Sequence, residues 1–177
     1  MVCCILGEEE EVPRVFTVGY LTGSQRRPWD NEYSRPGITI SGAISLAIAE
    51  LNALPIPVHF PDATGETEGG LLGRRGLRLE LKVAETFGEE QTSILHTAAL
   101  WAANVSAFIG PQETCVHEAR MAAAFNLPMI SYYCTDHETS NKRLFPTFAR
   151  TRPPDTHISK SVVSAMRAFN WSTVSFL

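Results

Sequence analysis

The sequence predicts an α/β fold, in which helices cover both faces of a mostly parallel sheet. Short apolar segments alternate along the chain with single amphipathic segments of about 10 to 15 residues. Several of the short segments are apolar on both faces, as buried parallel strands are. The chain has 177 residues, of which 44% are hydrophobic and 19% are charged, so it can bury a core of its own.

Net charge and hydrophobic run length exclude two classes of partner. Fifteen Lys and Arg stand against nineteen Asp and Glu, which gives a net charge of -4. No excess of cations is present to neutralise nucleic acid, so nucleic acid is not an expected partner. No uninterrupted apolar stretch reaches the roughly 18 residues that a bilayer span needs.

The first half of the chain predicts two strands and one helix. Residues 15–21 are rich in β-branched and aromatic side chains, which favours a strand. A helix that ends before Pro55 is predicted from apolar residues at helical spacing, namely Ile44, Ala47, Ile48 and Leu51. Residues 55–76 carry Pro, Gly and scattered charge, which predicts a loop insertion. Leucine and valine alternate with charge over residues 77–83, which indicates a strand near a sheet edge.

The second half continues the alternation of helix and strand. A helix over residues 91–104 leads to a buried strand at Ala107–Ile109 and the exit Gly110-Pro111. Further strands are predicted over residues 129–132, 144–150 and 174–177, and a helix over residues 115–126. A last helix follows Pro154 and carries a one-sided apolar stripe, formed by Ile158, Val162, Ala165, Met166 and Phe169.

Polar residues stand at the predicted strand exits. Ligands of parallel α/β sheets bind at the carboxyl ends of the strands. Ser131, Tyr132 and Thr135 lie there and offer hydroxyl groups, so they are the predicted ligand-binding residues. The exit at Gly110 and Pro111 is interpreted either as an amide nest for an anion or as an ordinary turn.

Two cysteines follow consecutive predicted strands. Cys115 and Cys134 then lie at the same sheet edge, where a disulfide can form, and two free thiols or intermolecular pairs are the alternatives. With His117 and His137 they also form a set of residue types that bind zinc. The spacing fits no common zinc finger, and ordinary surface histidines are the simpler interpretation. No nucleotide-binding or hydrolase motif occurs.

Two tripeptides match the acceptor pattern for N-glycans. They begin at Asn104 and Asn170, both at predicted element boundaries. Together they predict two glycosylated sites and a secreted chain.

Five segments resemble the extracellular ligand-binding region of receptor-type guanylyl cyclases, in particular the invertebrate branch that is similar to natriuretic peptide receptors. They are FTVGYLT (16–22), GAISLAIAELN (42–52), FIGP (108–111), LPMISYYC (127–134) and FPTFARTRPPDT (145–156). The resemblance covers about residues 15–177, and residues 148–155 are its most specific part.

The resemblance implies the two-lobed periplasmic-binding-protein type I fold. Residues 14–152 then form most of lobe 1, and residues 153–177 begin lobe 2. Residues 1–13 do not match the family and are expected to be a disordered or non-native start. The chain is accordingly expected to be a fragment of a longer receptor.

The resemblance also implies individual sites. Trp101 matches a tryptophan on a helix that pairs two ectodomains in vertebrate relatives. A chloride bound after Gly-Pro in some relatives maps to Gly110, Pro111, Thr114 and Cys115, although the loop here is longer and carries an acid. The family disulfide joins the cysteine after Gly-Pro to an upstream cysteine, which the preceding helix of this sequence lacks.

The main hypothesis is therefore a binding module of a plasma-membrane receptor. Its ligand is expected to be a peptide, and rearrangement of a homodimer is expected to control a cyclase domain that makes cGMP elsewhere in the parent. The chain itself is then no enzyme and needs no cofactor apart from the chloride. One alternative is an amino-acid receptor or a soluble solute-binding protein of the same fold, and a second is a zinc or thiol enzyme.

Overall fold

The computed structural model describes residues 14–30, 35–53, 77–112, 115–173 and 175. The chain divides into two compact units. The smaller contains Met1–Thr17 and Gly42–Leu81, and the larger contains Val18–Ser41 and Lys82–Leu177. Three predictions lie wholly or mainly outside the described residues: the N-terminus at 1–13, the loop at 55–76 and the last strand at 174–177.

Strands and helices alternate through the described residues. The strands are β1 (Arg14–Thr22), β2 (Leu77–Glu85), β3 (Ala107–Ile109), β4 (Met129–Ser131) and β5 (Phe148–Arg150). The helices are α1 (Gly37–Ala53), α2 (Glu90–Ala102), α3 (Val116–Ala124) and α4 (Asp155–Ala168), with a short 3-10 helix at Glu138–Ser140. None of these helices is long and apolar enough to cross a bilayer.

The five strands form one sheet in the order β2-β1-β3-β4-β5. The pairs β1 with β3, β3 with β4 and β4 with β5 are parallel. Phe108 of β3 is paired in register with Gly19 of β1 on one side and with Met129 of β4 on the other. The predicted α/β class is confirmed, and so is the edge position of β2.

The core of the larger unit lies between the sheet and helices α2 and α3. Its buried side chains include Leu21, Leu100, Phe108, Ala119, Ala122, Met129, Phe145 and Phe148. Gly19 permits the close approach of α2, because an added Cβ atom would lie 3.0 Å from the Leu100 side chain. Along β4 only one face is covered, since Met129 is buried and Ile130 is 46% exposed.

The strand predicted over residues 144–150 is shorter than expected, and β5 begins only at Phe148. The preceding residues form turns, because the carbonyl of Asn141 accepts the amide of Phe145 at 3.0 Å. Pro146 has no amide hydrogen to donate to a neighbouring strand. Local turn chemistry therefore overrides the apolar pattern at this point.

In the smaller unit, a side chain at the end of α1 holds the start of β2. The Asn52 amide group donates to the carbonyl of Leu79 at 2.8 Å and accepts its N–H at 2.9 Å. Both backbone groups of Leu79 are thereby satisfied by a side chain, which protects this position of an edge strand from pairing with another chain.

Helix α4 is amphipathic as predicted, but none of its residues is buried. Ile158 and Val162 on its apolar stripe are 48% and 49% exposed, and Phe169 directly after it is 66% exposed. The predicted lobe boundary near residue 152 stays a prediction.

Candidate functional site

A cavity of about 670 Å³ opens at the carboxyl edge of the sheet in the larger unit. It is built by the start of α2, the first half of α3, the loop after β4 and the start of α4. The lining residues are Glu90, Cys115, Val116, His117, Arg120, Tyr133, Thr135, Asp136, Glu138 and Asp155. The position agrees with the rule that ligands of parallel sheets bind where the strands end.

A disulfide joins Cys115, before α3, to Cys134, after β4. The two Cα atoms are 5.8 Å apart, and both cysteines are nearly inaccessible to solvent. The bond ties together the two segments that form most of the cavity wall. Cysteines that are bonded to each other cannot act as zinc-binding or nucleophilic thiolates, which removes the basis of the enzyme hypothesis.

The other two members of the candidate zinc set are His117 and His137. The side chain of His137 is 76% exposed, and Nδ1 of His117 contacts the carboxylate of Glu90. In the parts of the chain that the structure describes, no group of three His, Cys, Asp or Glu side chains is arranged to hold a metal ion.

Charged side chains of both signs line the cavity. Arg120 pairs with Glu138 across the gap between α3 and the 3-10 helix. Thr135 and Asp155 are joined twice: the Thr135 hydroxyl donates to the Asp155 carboxylate and the Asp155 amide donates to the Thr135 carbonyl, each at 3.0 Å. The Arg120–Glu138 pair and the hydroxyl–carboxylate bond are exposed, so a charged ligand can exchange for them at little cost.

Ser131 is fully buried and its hydroxyl is engaged inside the protein. The hydroxyl donates to the Pro111 carbonyl at 3.0 Å and accepts the amides of Tyr133 and Cys134 at 3.3 Å and 3.0 Å. Ser131 therefore fastens the loop after β4, and of the three predicted ligand residues only Thr135 lines the cavity.

The Tyr132 side chain reaches the end of β1, beside the point where the strand order reverses between β1 and β3. Parallel sheets bind ligands at such points. The Tyr132 hydroxyl donates to the Leu21 carbonyl at 3.2 Å, and its ring lies 6.0 Å from the ring of Tyr20. A ligand bound at the carboxyl end of β1 would therefore meet this side chain.

The predicted anion site is only partly described. The Gly110 amide donates to the Ile130 carbonyl at 2.9 Å, and Pro111 has no amide hydrogen. Gly110 has φ +105°, and an added Cβ atom would collide with the Leu21 carbonyl, so the position requires glycine. Thr114 lies outside the described residues, and Cys115 is buried in the disulfide. Chloride binding stays a prediction.

Sequence reasoning missed a second charged cluster, between the exit of β1 and the start of α2. Nε and Nη2 of Arg27 donate to the two carboxylate oxygens of Glu89, each at 3.0 Å. These bonds, helped by the Thr92 hydroxyl, lower the pKa of Glu89 to about 2. The Arg27 guanidinium also lies 3.8 Å from the ring centre of Phe87. Arg27 and Glu89 are 62 residues apart in sequence, so no local sequence pattern indicates their contact.

The sequence-predicted surface sites lie at helix ends. Trp101, in the last turn of α2, is 48% exposed and stacks on Phe125. Asn104 and Asn170 follow α2 and α4, and both are exposed with φ of +57° and +56°. Asparagine tolerates this left-handed conformation better than most residues.

Comparison with known proteins gives a consistent result. Residues 69–177 match the family described as receptor family ligand binding region. The chain is similar to guanylate cyclase 32E of Drosophila melanogaster, with 32% identity over 185 residues that cover 100% of this chain. Receptor-type guanylate cyclase Gyc76C of the same organism is 32% identical over 92% of the chain. The resact receptor of Arbacia punctulata is 37% identical over 42% of it.

These relatives are much longer than the matched region. The aligned residues make up 14%, 9% and 8% of the three proteins. The chain therefore spans a small share of each relative.

Proposed function

The chain belongs to the receptor family ligand binding region, and we propose that it forms most of the first lobe and the beginning of the second lobe of the extracellular ligand-binding module of a receptor-type guanylate cyclase. Two relatives whose names state a guanylate cyclase align with nearly the whole chain. In the parent protein, a cyclase domain outside this chain makes cGMP. The chain itself binds ligand and carries out no catalysis.

The ligand that we propose is a peptide, and the observation that carries this proposal is that the Ser131 and Tyr132 hydroxyls at the strand exits already donate to backbone carbonyls. A buried free amino acid needs several charge-assisted partners to offset its desolvation. At this edge the Ser131 hydroxyl donates to the Pro111 carbonyl and the Tyr132 hydroxyl donates to the Leu21 carbonyl. A small zwitterion could use either hydroxyl only at the cost of a hydrogen bond inside the protein.

The lining of the neighbouring cavity supports the same ligand class. Sites for small molecules are mostly apolar, with a few polar groups that orient the ligand. Here most of the lining residues are ionisable, and they stand on an open surface. Such a wall suits an extended polar chain that exchanges several weak contacts for the existing ion pairs.

Ligand binding then controls the cyclase domain by changing how the lobes or the protomers are arranged. A ligand that prefers one arrangement of two lobes, or of two protomers, shifts the population towards that arrangement. Asn104 and Asn170 are expected to carry glycans, in agreement with an extracellular position at the plasma membrane.

The test is cGMP production in cells that express the full-length receptor. Fractions of a tissue extract from the source animal are added before and after digestion with a protease, and the twenty amino acids are added separately. We expect stimulation by an extract fraction that digestion abolishes, and none by any amino acid. Stimulation that survives digestion, or that one amino acid reproduces, contradicts the proposal.

Calorimetry on the receptor's complete extracellular region addresses the amino-acid alternative directly. No free amino acid is expected to bind in the micromolar range. An amino acid that binds, and that loses affinity on Thr135→Ala in the cavity lining but not on the control Ser159→Ala in exposed α4, favours the alternative.

A further inference from the structure

Two surface predictions, a glycan at Asn104 and a dimer contact at Trp101, fall on a single turn of the chain. Helix α2 ends at Ala102, and the Asn104 amide donates to the Trp101 carbonyl at 2.9 Å. Turns of four residues bring their end Cα atoms within about 7 Å of each other. The two side chains therefore leave the surface at adjacent points.

One face of the Trp101 indole is covered and the other is open. Its ring lies 4.4 Å from the ring of Phe125 with an angle of 9° between the planes, so Phe125 stacks on one face. Trp101 is nevertheless 48% exposed. Among the described residues no second aromatic ring stacks on Trp101, so the face opposite Phe125 is the accessible one.

The acceptor asparagine is fixed and accessible. Asn104 is exposed, with a left-handed φ of +57° that directs the chain away from the helix axis. The next residue, Val105, is only 4% exposed and anchors the turn in the core. The backbone from which a sugar on Asn104 would extend is thus fixed beside Trp101.

A glycan and a dimer contact exclude each other here. A stable interface buries about 1,200–2,000 Å² and keeps water away from its central aromatic residues. A branched, strongly hydrated glycan on the same turn as Trp101 prevents such close packing. At most one of the two predictions is therefore expected to hold in the mature protein.

We propose that Asn104 is glycosylated and that its first sugar packs on the open face of Trp101. The inference rests on the proposed extracellular function, because N-glycans are added in the secretory pathway. One face of a pyranose ring presents C–H groups, which are attracted to the negative face of an aromatic ring. The sugar thereby covers an apolar surface that would otherwise promote association. Trp101 is then a carbohydrate contact and not a dimer contact.

The test uses the full chain secreted from insect cells. Mass spectrometry of peptides measures glycan occupancy at Asn104 and Asn170, and the rate of enzymatic release from the native protein measures protection at Asn104. We expect occupancy at both sites. Trp101→Ala should accelerate release at Asn104 by about three- to tenfold, whereas Trp101→Phe, which keeps an aromatic face, should stay within about twofold.

A matched control is Leu95→Ala, which removes another exposed apolar side chain of α2 and should leave the release rate unchanged. Occupancy at Asn170 without occupancy at Asn104 overturns this inference and leaves the extracellular proposal standing. The absence of glycans at both Asn104 and Asn170 overturns this inference and the extracellular proposal together. A release rate that is equal in Trp101→Ala and the parent chain overturns the sugar contact, and so does a Trp101-dependent dimer of the glycosylated chain.

Discussion

Helices α3 and α4 follow strands of the same sheet, yet only α3 is covered. Glu118, Ala119 and Ala122 of α3 are buried, whereas α4 has no buried residue. From the sequence alone α4 would be expected to be the better covered helix, because it carries the clearer one-sided apolar stripe. Periodicity therefore predicts a helix and its apolar face, but the burial of that face depends on which other chain segments reach it.

The largest difference is expected for a charge placed on each helix. Ala122→Asp buries a carboxylate without a partner and should lower the free energy of unfolding by about 3–5 kcal/mol, enough to unfold a marginal domain. Val162→Asp on exposed α4 should change it by less than about 0.5 kcal/mol. Urea unfolding followed by circular dichroism measures both. Equal losses would show that α4 is covered in solution.

The next effect concerns the disulfide that fixes the start of α3. Replacing Cys115 and Cys134 together by serine should lower the free energy of unfolding by about 2–4 kcal/mol, because the unfolded chain regains its freedom. Reducing the parent chain should reproduce most of this loss in the same unfolding experiment. If a reductant lowered the free energy of unfolding of the double variant as much as that of the parent chain, the assignment of the Cys115–Cys134 disulfide would be contradicted.

Ser131→Ala should cost about 1–3 kcal/mol, because it leaves the Pro111 carbonyl and the Cys134 amide without their buried partner. The matched change on α4 is Ser159→Ala, which removes an exposed hydroxyl that donates to the Asp155 carbonyl at 3.1 Å. The control should stay within about 0.5 kcal/mol. Thermal unfolding measures the stability of both variants. Similar decreases in Tm for Ser131→Ala and Ser159→Ala would contradict the structural role given to Ser131.

The smallest effect is a pH dependence that arises in the body of the larger unit and not in α4. Since Arg27 lowers the pKa of Glu89 from 4.5 to about 2, their contact stabilises the fold above about pH 4.5. This contribution is lost as the pH falls from 4.5 towards 2. Arg27→Gln should flatten that part of the stability profile, while Arg167→Gln in α4 should preserve it. A parent profile that is already flat there would refute the assignment.

The comparison also shows how far the site was predictable. The cavity edge, Thr135 and the proximity of the two cysteines follow from the order of strands, because parallel strand exits meet at one sheet edge. The inward hydroxyl of Ser131 and the bond from the Tyr132 hydroxyl to the end of β1 do not follow from it. Both depend on the path of a loop whose turns are closed by distant backbone groups, such as the Leu21 carbonyl.

The alternation of strands and helices, the edge position of β2 and the acceptor pattern at Asn104 can be predicted from local sequence. These features are encoded within about ten neighbouring residues, where periodicity and turn chemistry act. Long-range packing is needed to explain why α3 is covered while α4 is exposed, why Arg27 meets Glu89, and why Phe125 stacks on Trp101 beside Asn104. Such contacts join residues that are far apart in the chain or set the direction of a side chain at a turn, and both depend on the packing of the whole sheet.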